Sequence, residues 1–317
     1  MLILWTIVFV VSLAVLVKGS DWLIESAEKI GLSLGLSPFI VGITIVSIGT
    51  SFPELVSSFV AVFQGVSEVV VANVVGSNIA NILLVVGISS IISKELIIKK
   101  NLIDLDLPLL AISTVLLLGI TWDQQITFGE SVLMVLTYGV YLIYTISHKD
   151  IDEIAITRKD VRAGFDRPKL EVRDLFLLIL GIIGLVFGAK YLIESLVELS
   201  TILNIGTGVI AITAVAVGTS LPELFVSAKA AFNKKSEIAL GNILGSNVFN
   251  SLMVVGLPGL FQVLPVDNQT FQIGVPVMAF ATLLFIISGI SKKIHMWEGA
   301  FYLSLYILFI AKLFAWF

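Results

Sequence analysis

The chain has 317 residues, 57% of them apolar and 13% charged, with a mean hydropathy of +1.06 and a formal net charge of −4. Soluble domains carry roughly 25% charged residues, so this composition excludes a water-soluble globular protein and places the chain in a bilayer. No cysteine is present, which excludes disulfides, thiolate metal sites and cysteine nucleophiles, and both histidines, His148 and His295, lie in charged loops.

A membrane-spanning helix needs about 20 mostly apolar residues. Segments of that kind lie near 2–18, 38–64, 68–92, 104–121, 126–147, 174–199, 207–232, 238–262, 271–290 and 297–316, which predicts an all-α integral membrane protein with ten transmembrane helices. The first segment has no basic region ahead of it, as a signal peptide would, and is expected to be retained. Ser67-Glu68 and Ser236-Glu237 stand at the starts of the third and eighth spans and read as N-caps with a carboxylate on the helix dipole. Residues 148–173 form the one long connection, a solvated hinge too short for a folded domain. The organisation expected is a five-helix unit over 1–147, a cytoplasmic linker over 148–173 and a second five-helix unit over 174–317.

Basic residues set the orientation, because cytoplasmic loops are rich in lysine and arginine. One set of connections, 64–67, 122–125, 200–206 and 263–270, has none. The other set holds Lys29, Lys94, Lys99, Lys100, seven basic residues from Lys149 to Arg173, Lys234, Lys235, Lys292 and Lys293. That second side is expected to be cytoplasmic, with both termini outside a plasma or inner membrane.

The chain also repeats itself. At an offset of 169, residues 19–87 match 188–256 without a gap, and 29 of the 69 positions are identical. Five spans separate equivalent points, so the second copy crosses the membrane in the opposite sense. Inverted repeats with polar, interrupted helices at matching positions are a signature of secondary transporters that bind their cargo near the bilayer midplane.

Within the repeat, Gly49-Thr50-Ser51-Phe52-Pro53-Glu54 matches Gly218-Thr219-Ser220-Leu221-Pro222-Glu223. Each places a carboxylate deep inside an apolar span, where it is costly and usually functional. Each proline is expected to kink or break its helix and free carbonyl oxygens beside the hydroxyls. Ser77 with Asn81, and Ser246 with Asn250, add a second polar pair at helical spacing on the following span, and Gly76 and Gly245 allow helices to approach. Two acids without basic partners need a cation. The donors are all hard oxygens, which suit Ca2+ and the similarly sized Na+ better than Mg2+, zinc or copper. No histidine or lysine base lies near Ser51 or Ser77, which speaks against an intramembrane hydrolase, and a channel has no need of the repeat.

The GTSFPE and GTSLPE segments, followed by VANVVGSNIAN and GNILGSNVFN, resemble the two alpha-repeats of the sodium/calcium exchanger family, within the cation/calcium antiporter superfamily. The resemblance covers essentially the whole chain. It implies ten helices around four central cation sites, with ligands at Thr50, Ser51, Glu54, Ser77 and Asn81 and at Thr219, Ser220, Glu223, Ser246 and Asn250. It further implies backbone carbonyl ligands at Ser47 and Ala216, and Ca2+ and Na+ as transported substrates, with no cofactor, no enzymatic activity, no nucleic acid and no obligate protein partner beyond the lipid bilayer. Some relatives carry aspartate where Asn250 stands, and proton/calcium exchangers place asparagine and alanine ahead of their glutamate. The Thr-Ser-x-Pro-Glu pattern favours Na+ as counter-ion, with H+/Ca2+ antiport on the same scaffold as the alternative.

Overall fold

The structure is a computed structural model that describes residues 1–97, 106–147, 169–202 and 220–313. The described helices are α1 (Leu2–Leu34), α2 (Pro38–Phe63), α3 (Glu68–Ser93), α4 (Asp106–Ile120), α5 (Phe128–Ser147), α6 (Val172–Ile202), α7 (Leu221–Phe232), α8 (Ser236–Gly259), α9 (Thr270–Ile290) and α10 (Met296–Leu313). Among the described residues nine helices are long and apolar enough to cross a membrane. The tenth expected span, 207–232, lies partly outside the described residues, and α7 is its described portion.

Two helices outrun the expected limits. The first span was expected to close at residue 18, yet α1 continues for 33 residues until Gly35 takes a left-handed conformation, φ 74°, and ends it. Charged residues after Lys18 close the hydropathy window without stopping the helix, and Asp21, Glu28 and Lys29 among them are paired. Lys29 Nζ lies 2.8 Å from Asp174 of α6, Asp21 lies 3.1 Å from Lys229 of α7, and Glu28 pairs with Lys235 just ahead of α8. α6 is 31 residues long and packs along α1 on small residues. A Cβ added at Gly19 would stand 3.0 Å from the Gly181 carbonyl oxygen, and one at Gly181 only 2.8 Å from the Leu23 amide. Close helix approach of this kind replaces the hydrophobic drive that is missing in lipid.

The expectation of an all-α chain needs one amendment. Four short strands, β1 (Glu95–Ile97), β2 (Gln125–Ile126), β3 (Leu264–Pro265) and β4 (Lys293–His295), form two antiparallel pairs in the connections. β1 pairs with β4, setting Leu96 opposite Ile294, and β2 pairs with β3, setting Gln125 opposite Pro265. Position 96 moved forward by 169 is 265, and position 294 moved back by 169 is 125. The two ribbons are therefore images of one another under the repeat, at opposite ends of α4, and the repeat runs beyond the stretch where identity is visible.

The expected serine caps do not form. Ser67 precedes α3 with no side-chain capping bond, and Ser236 lies inside α8 rather than ahead of it, although Glu68 and Glu237 do sit in the first turns. Helix starts at a membrane surface can have their free amides met by water, so the hydroxyl is dispensable there.

Candidate cation site

α2, α3, α7 and α8 carry the polar motifs, and their local structure departs from the plain α-helix next to those motifs. α2 has a π-helical turn at Gly42–Val46 and α-helix from Ser47 to Phe63. The helix was expected to kink or break at Pro53, but it runs through that proline, and its irregular turn lies upstream. One missing ladder bond is tolerable in a membrane helix packed against neighbours. In the second copy α7 begins at Leu221, so Pro222 falls in the first turn, where an absent N–H costs nothing. α3 and α8 each contain a π turn, Asn81–Val85 and Asn250–Val254. These two turns are again 169 residues apart, and each starts on the asparagine of the polar pair. π turns recur at functional sites because the extra residue re-aims side chains and loosens the carbonyl ladder.

Glycines bring α2 and α8 into backbone contact. A Cβ at Gly241 would stand 2.6 Å from the Phe39 carbonyl oxygen, and one at Gly42 equally close to that of Ile238. A Cβ at Gly245 would collide with the Ile43 carbonyl and stand 2.5 Å from Ser47 Oγ. Gly245 thus permits the approach expected of it. Gly76 has nothing within 4 Å of an added Cβ among the described residues, and the approach expected of it falls on residues outside them.

The crossing buries polar side chains from both copies. Ser47, Thr50, Ser51, Glu54, Ser77, Asn81, Ser220, Glu223, Ser246 and Asn250 are all at most 2% exposed. Ser51 Oγ donates to Glu223 Oε1 at 2.8 Å, which ties the first-repeat motif to the second-repeat acid. Thr50 Oγ1 lies 3.4 Å from Ser246 Oγ, another contact between copies, and 3.2 Å from the Ser47 carbonyl oxygen. Thr219 and Ala216, expected as ligands, lie outside the described residues. Ten of the twelve expected site residues are thus in the described buried core of these four helices.

Many of these atoms have no partner. Both carboxylate oxygens of Glu54, Oε2 of Glu223, the Ser220 hydroxyl and the side-chain amides of Asn81 and Asn250 are buried without a hydrogen bond among the described residues. Leaving a buried polar group unpaired costs about 1–3 kcal/mol, and more for a charge, so a cluster of such groups in one place marks a binding site.

Comparison with known proteins fits that marking. The chain matches the profile described as "Sodium/calcium exchanger protein" over residues 4–147 and 174–315. The chain belongs to the sodium/calcium exchanger family. It is 34% identical to sodium/calcium exchanger MaX1 of Methanosarcina acetivorans, over 97% of this chain and 98% of that protein. It is 32% identical to an uncharacterized membrane protein of Methanocaldococcus jannaschii, over 99% of each. The solved structure of the sodium-calcium exchanger NCX_Mj, soaked with zero Na+ and Ca2+, superposes with a TM-score of 0.82 at 31% identity, covering 99% of this chain and 100% of that one. The exchanger fold, a multi-pass membrane protein of inverted repeats, is therefore the fold of this chain.

Within this family member, the sequence reading passed over a set of buried residues that support the motif. Asn242 of α8 accepts from Thr50 Oγ1 at 3.1 Å and donates to Ser227 Oγ of α7 at 2.9 Å. Asn78 of α3 donates to Ser251 Oγ at 2.8 Å, joining α3 to α8. A signal was present: Asn73 and Asn242, Asn78 and Asn247, and Ser58 and Ser227 are all identical pairs at the 169 offset.

Proposed function

We propose that this chain is a secondary antiporter that exchanges Ca2+ for Na+ across a plasma or inner membrane by alternating access. The observation that carries the reading is the pair Glu54 and Glu223, fully buried, held by opposite copies of the repeat, with three of their four oxygens unpaired among the described residues. Two carboxylates balance one Ca2+, and hydroxyl, amide and carbonyl oxygens complete the six to eight ligands that the ion takes. The ligand set proposed is Glu54, Thr50, Ser51, Ser77, Asn81 and the Ser47 carbonyl from 1–147, with Glu223, Thr219, Ser220, Ser246, Asn250 and the Ala216 carbonyl from 174–317. Residues 148–173 link the two units on the cytoplasmic side, and both termini face outward. Support for that orientation comes from the strand pairs: Lys94, Lys292 and Lys293 flank or form the β1–β4 ribbon, whereas no lysine or arginine adjoins β2 and β3. The family name, and the Na+ and Ca2+ named for its relatives, support the choice of ions.

Three Na+ against one Ca2+ would move one positive charge per cycle, on which a membrane potential acts with about 2.3 kcal/mol per 100 mV. The test is Ca2+ uptake into proteoliposomes with sodium and pH gradients imposed separately. Uptake driven by internal Na+, and faster with the interior positive, is expected. Uptake that follows a pH gradient and ignores Na+ would replace this reading by H+/Ca2+ antiport. Sodium-driven uptake indifferent to voltage would keep the exchange and reject the three-to-one count.

A further inference from the structure

Thr50 has one hydroxyl hydrogen and four acceptors in reach: the Ser47 carbonyl at 3.2 Å, Asn242 Oδ1 at 3.1 Å, Ser246 Oγ at 3.4 Å and the carboxylate of Glu223. Where that hydrogen points decides what a cation meets. A hydroxyl that coordinates a cation must turn its hydrogen away and present a lone pair. If the hydrogen went to Ser47, it would occupy a carbonyl oxygen that the ion needs.

We infer that Asn242 is a positioning residue that draws the Thr50 hydrogen out of the cage, so that the oxygens of Thr50, Ser47 and Ser246 are left for the ion. The orientation of its amide is set from behind. Ser227 Oγ donates to the Ala239 carbonyl at 3.4 Å, so it has only an acceptor to offer, and the Asn242 amide nitrogen donates to it at 2.9 Å. With that nitrogen facing Ser227, Oδ1 faces Thr50. The chain of donors therefore runs from the cage outward, from Thr50 to Asn242 in α8, then from Asn242 to Ser227 in α7, then from Ser227 to the backbone of α8. Thr50, Asn242, Ser227 and Ser246 are all completely buried, so water does not compete for these bonds. At the 169 offset stand Asn73 and Ser58, but Ser58 Oγ is buried without a hydrogen bond among the described residues, so the relay is a feature of the second copy's Asn242 and Ser227.

The inference rests on the proposed Ca2+ site, and the experiment separates the two. Ca2+ binding to the purified full-length chain is measured by calorimetry in detergent, which needs no counter-ion. Asn242→Ala is expected to weaken binding by about tenfold, the loss of one buried hydrogen bond with its partner left misdirected. In a Thr50→Val background, which has no hydroxyl to orient, the same change is expected to cost less than about twofold, as coupled neighbours do. Ser227→Ala, a milder change, is expected to weaken binding about two- to threefold and to lose that effect in the same background; it carries the test if Asn242→Ala does not fold. Equal losses in both backgrounds, or binding like that of the unaltered chain in Asn242→Ala, would overturn the positioning role and leave the site standing. An unaltered chain that binds no Ca2+ would overturn the site, and this inference with it.

Discussion

α1 and α8 both cross the bilayer, but they solve opposite problems. The most apolar stretch of α1 has a mean hydropathy of 2.4 and only 17% of it is buried in the protein, whereas that of α8 has 1.5 and 94%. In water the more apolar helix would be the inner one. Here lipid solvates apolar side chains as well as other protein does, so apolarity carries a helix outward and polarity carries it in. α8 accordingly has Asn242, Ser246, Asn247 and Asn250 buried, while α1 turns Ile3, Ile7, Val10 and Val11 to the outside. In this chain the informative residues are the ones that hydropathy penalises.

The sharpest break of that contrast is to neutralise a central acid. Glu54→Gln or Glu223→Gln leaves a bound Ca2+ with one uncompensated charge in low dielectric, and roughly a hundredfold or greater loss of Ca2+ flux is expected from either. Phe301→Leu, on an outward face where Phe301 is 74% exposed, should leave flux unchanged. Flux in reconstituted vesicles, normalised to inserted protein, checks both. Unaltered flux in either glutamine variant would remove that acid from the site.

A smaller effect should follow from glycine at the two kinds of surface. Gly245→Ala drives a methyl into Ser47 and the Ile43 carbonyl at the α2–α8 crossing, where backbone must move. Overpacking of this kind costs about 1–3 kcal/mol, read as a lower melting temperature in detergent, with weaker Ca2+ binding because Ser47 shifts. Gly139→Ala in α5 meets nothing within 4 Å among the described residues and should be neutral or slightly stabilising. Equal effects at both positions would mean that the crossing is looser than its distances.

Much of the centre was legible because the repeat acts as a second copy of the message. A lone glutamate in an apolar span is ambiguous, but Glu54 and Glu223 in matched settings are not, and the spacing of Asn81 and Asn250 pointed to the faces that carry π turns. Asn242 was harder to see, since its role depends on which hydroxyl of α2 lies opposite, and only the crossing decides that. Pro53 misled because a proline states that a bond is missing, not whether packing tolerates it. The end of α1 was hidden for a similar reason: Asp21, Glu28 and Lys29 look like loop residues until their partners on α6, α7 and ahead of α8 are known. Strands of two or three residues leave too short a pattern for any periodicity.

The mildest test lies at the rim, where water returns and the rules of soluble proteins apply again. Asp267 stands just ahead of α9 and accepts from the amides of Gln269 at 3.0 Å and Thr270 at 2.9 Å. Burial works to raise its carboxyl, but the hydrogen bonds from the Thr270 side chain and these amides outweigh it and hold it below the usual carboxylate range. A group whose folded value is depressed contributes stability above its unfolded value, and loses that contribution as pH falls through the folded one. Asp267→Ala should therefore lower stability by about 1 kcal/mol at neutral pH, the ordinary worth of an N-cap. The gap between the two proteins should stay constant down to about pH 4 and narrow only in stronger acid. Asp267→Asn keeps an acceptor for the same amides, so it should lose less at neutral pH, and its smaller gap should narrow over the same acid range, because the titrating carboxyl belongs to the unaltered chain in both comparisons. Thermal unfolding in detergent across that pH range checks all three. A gap that already closes between pH 7 and 5 would mean that the carboxyl is not held low, and that the cap is weaker than its distances imply.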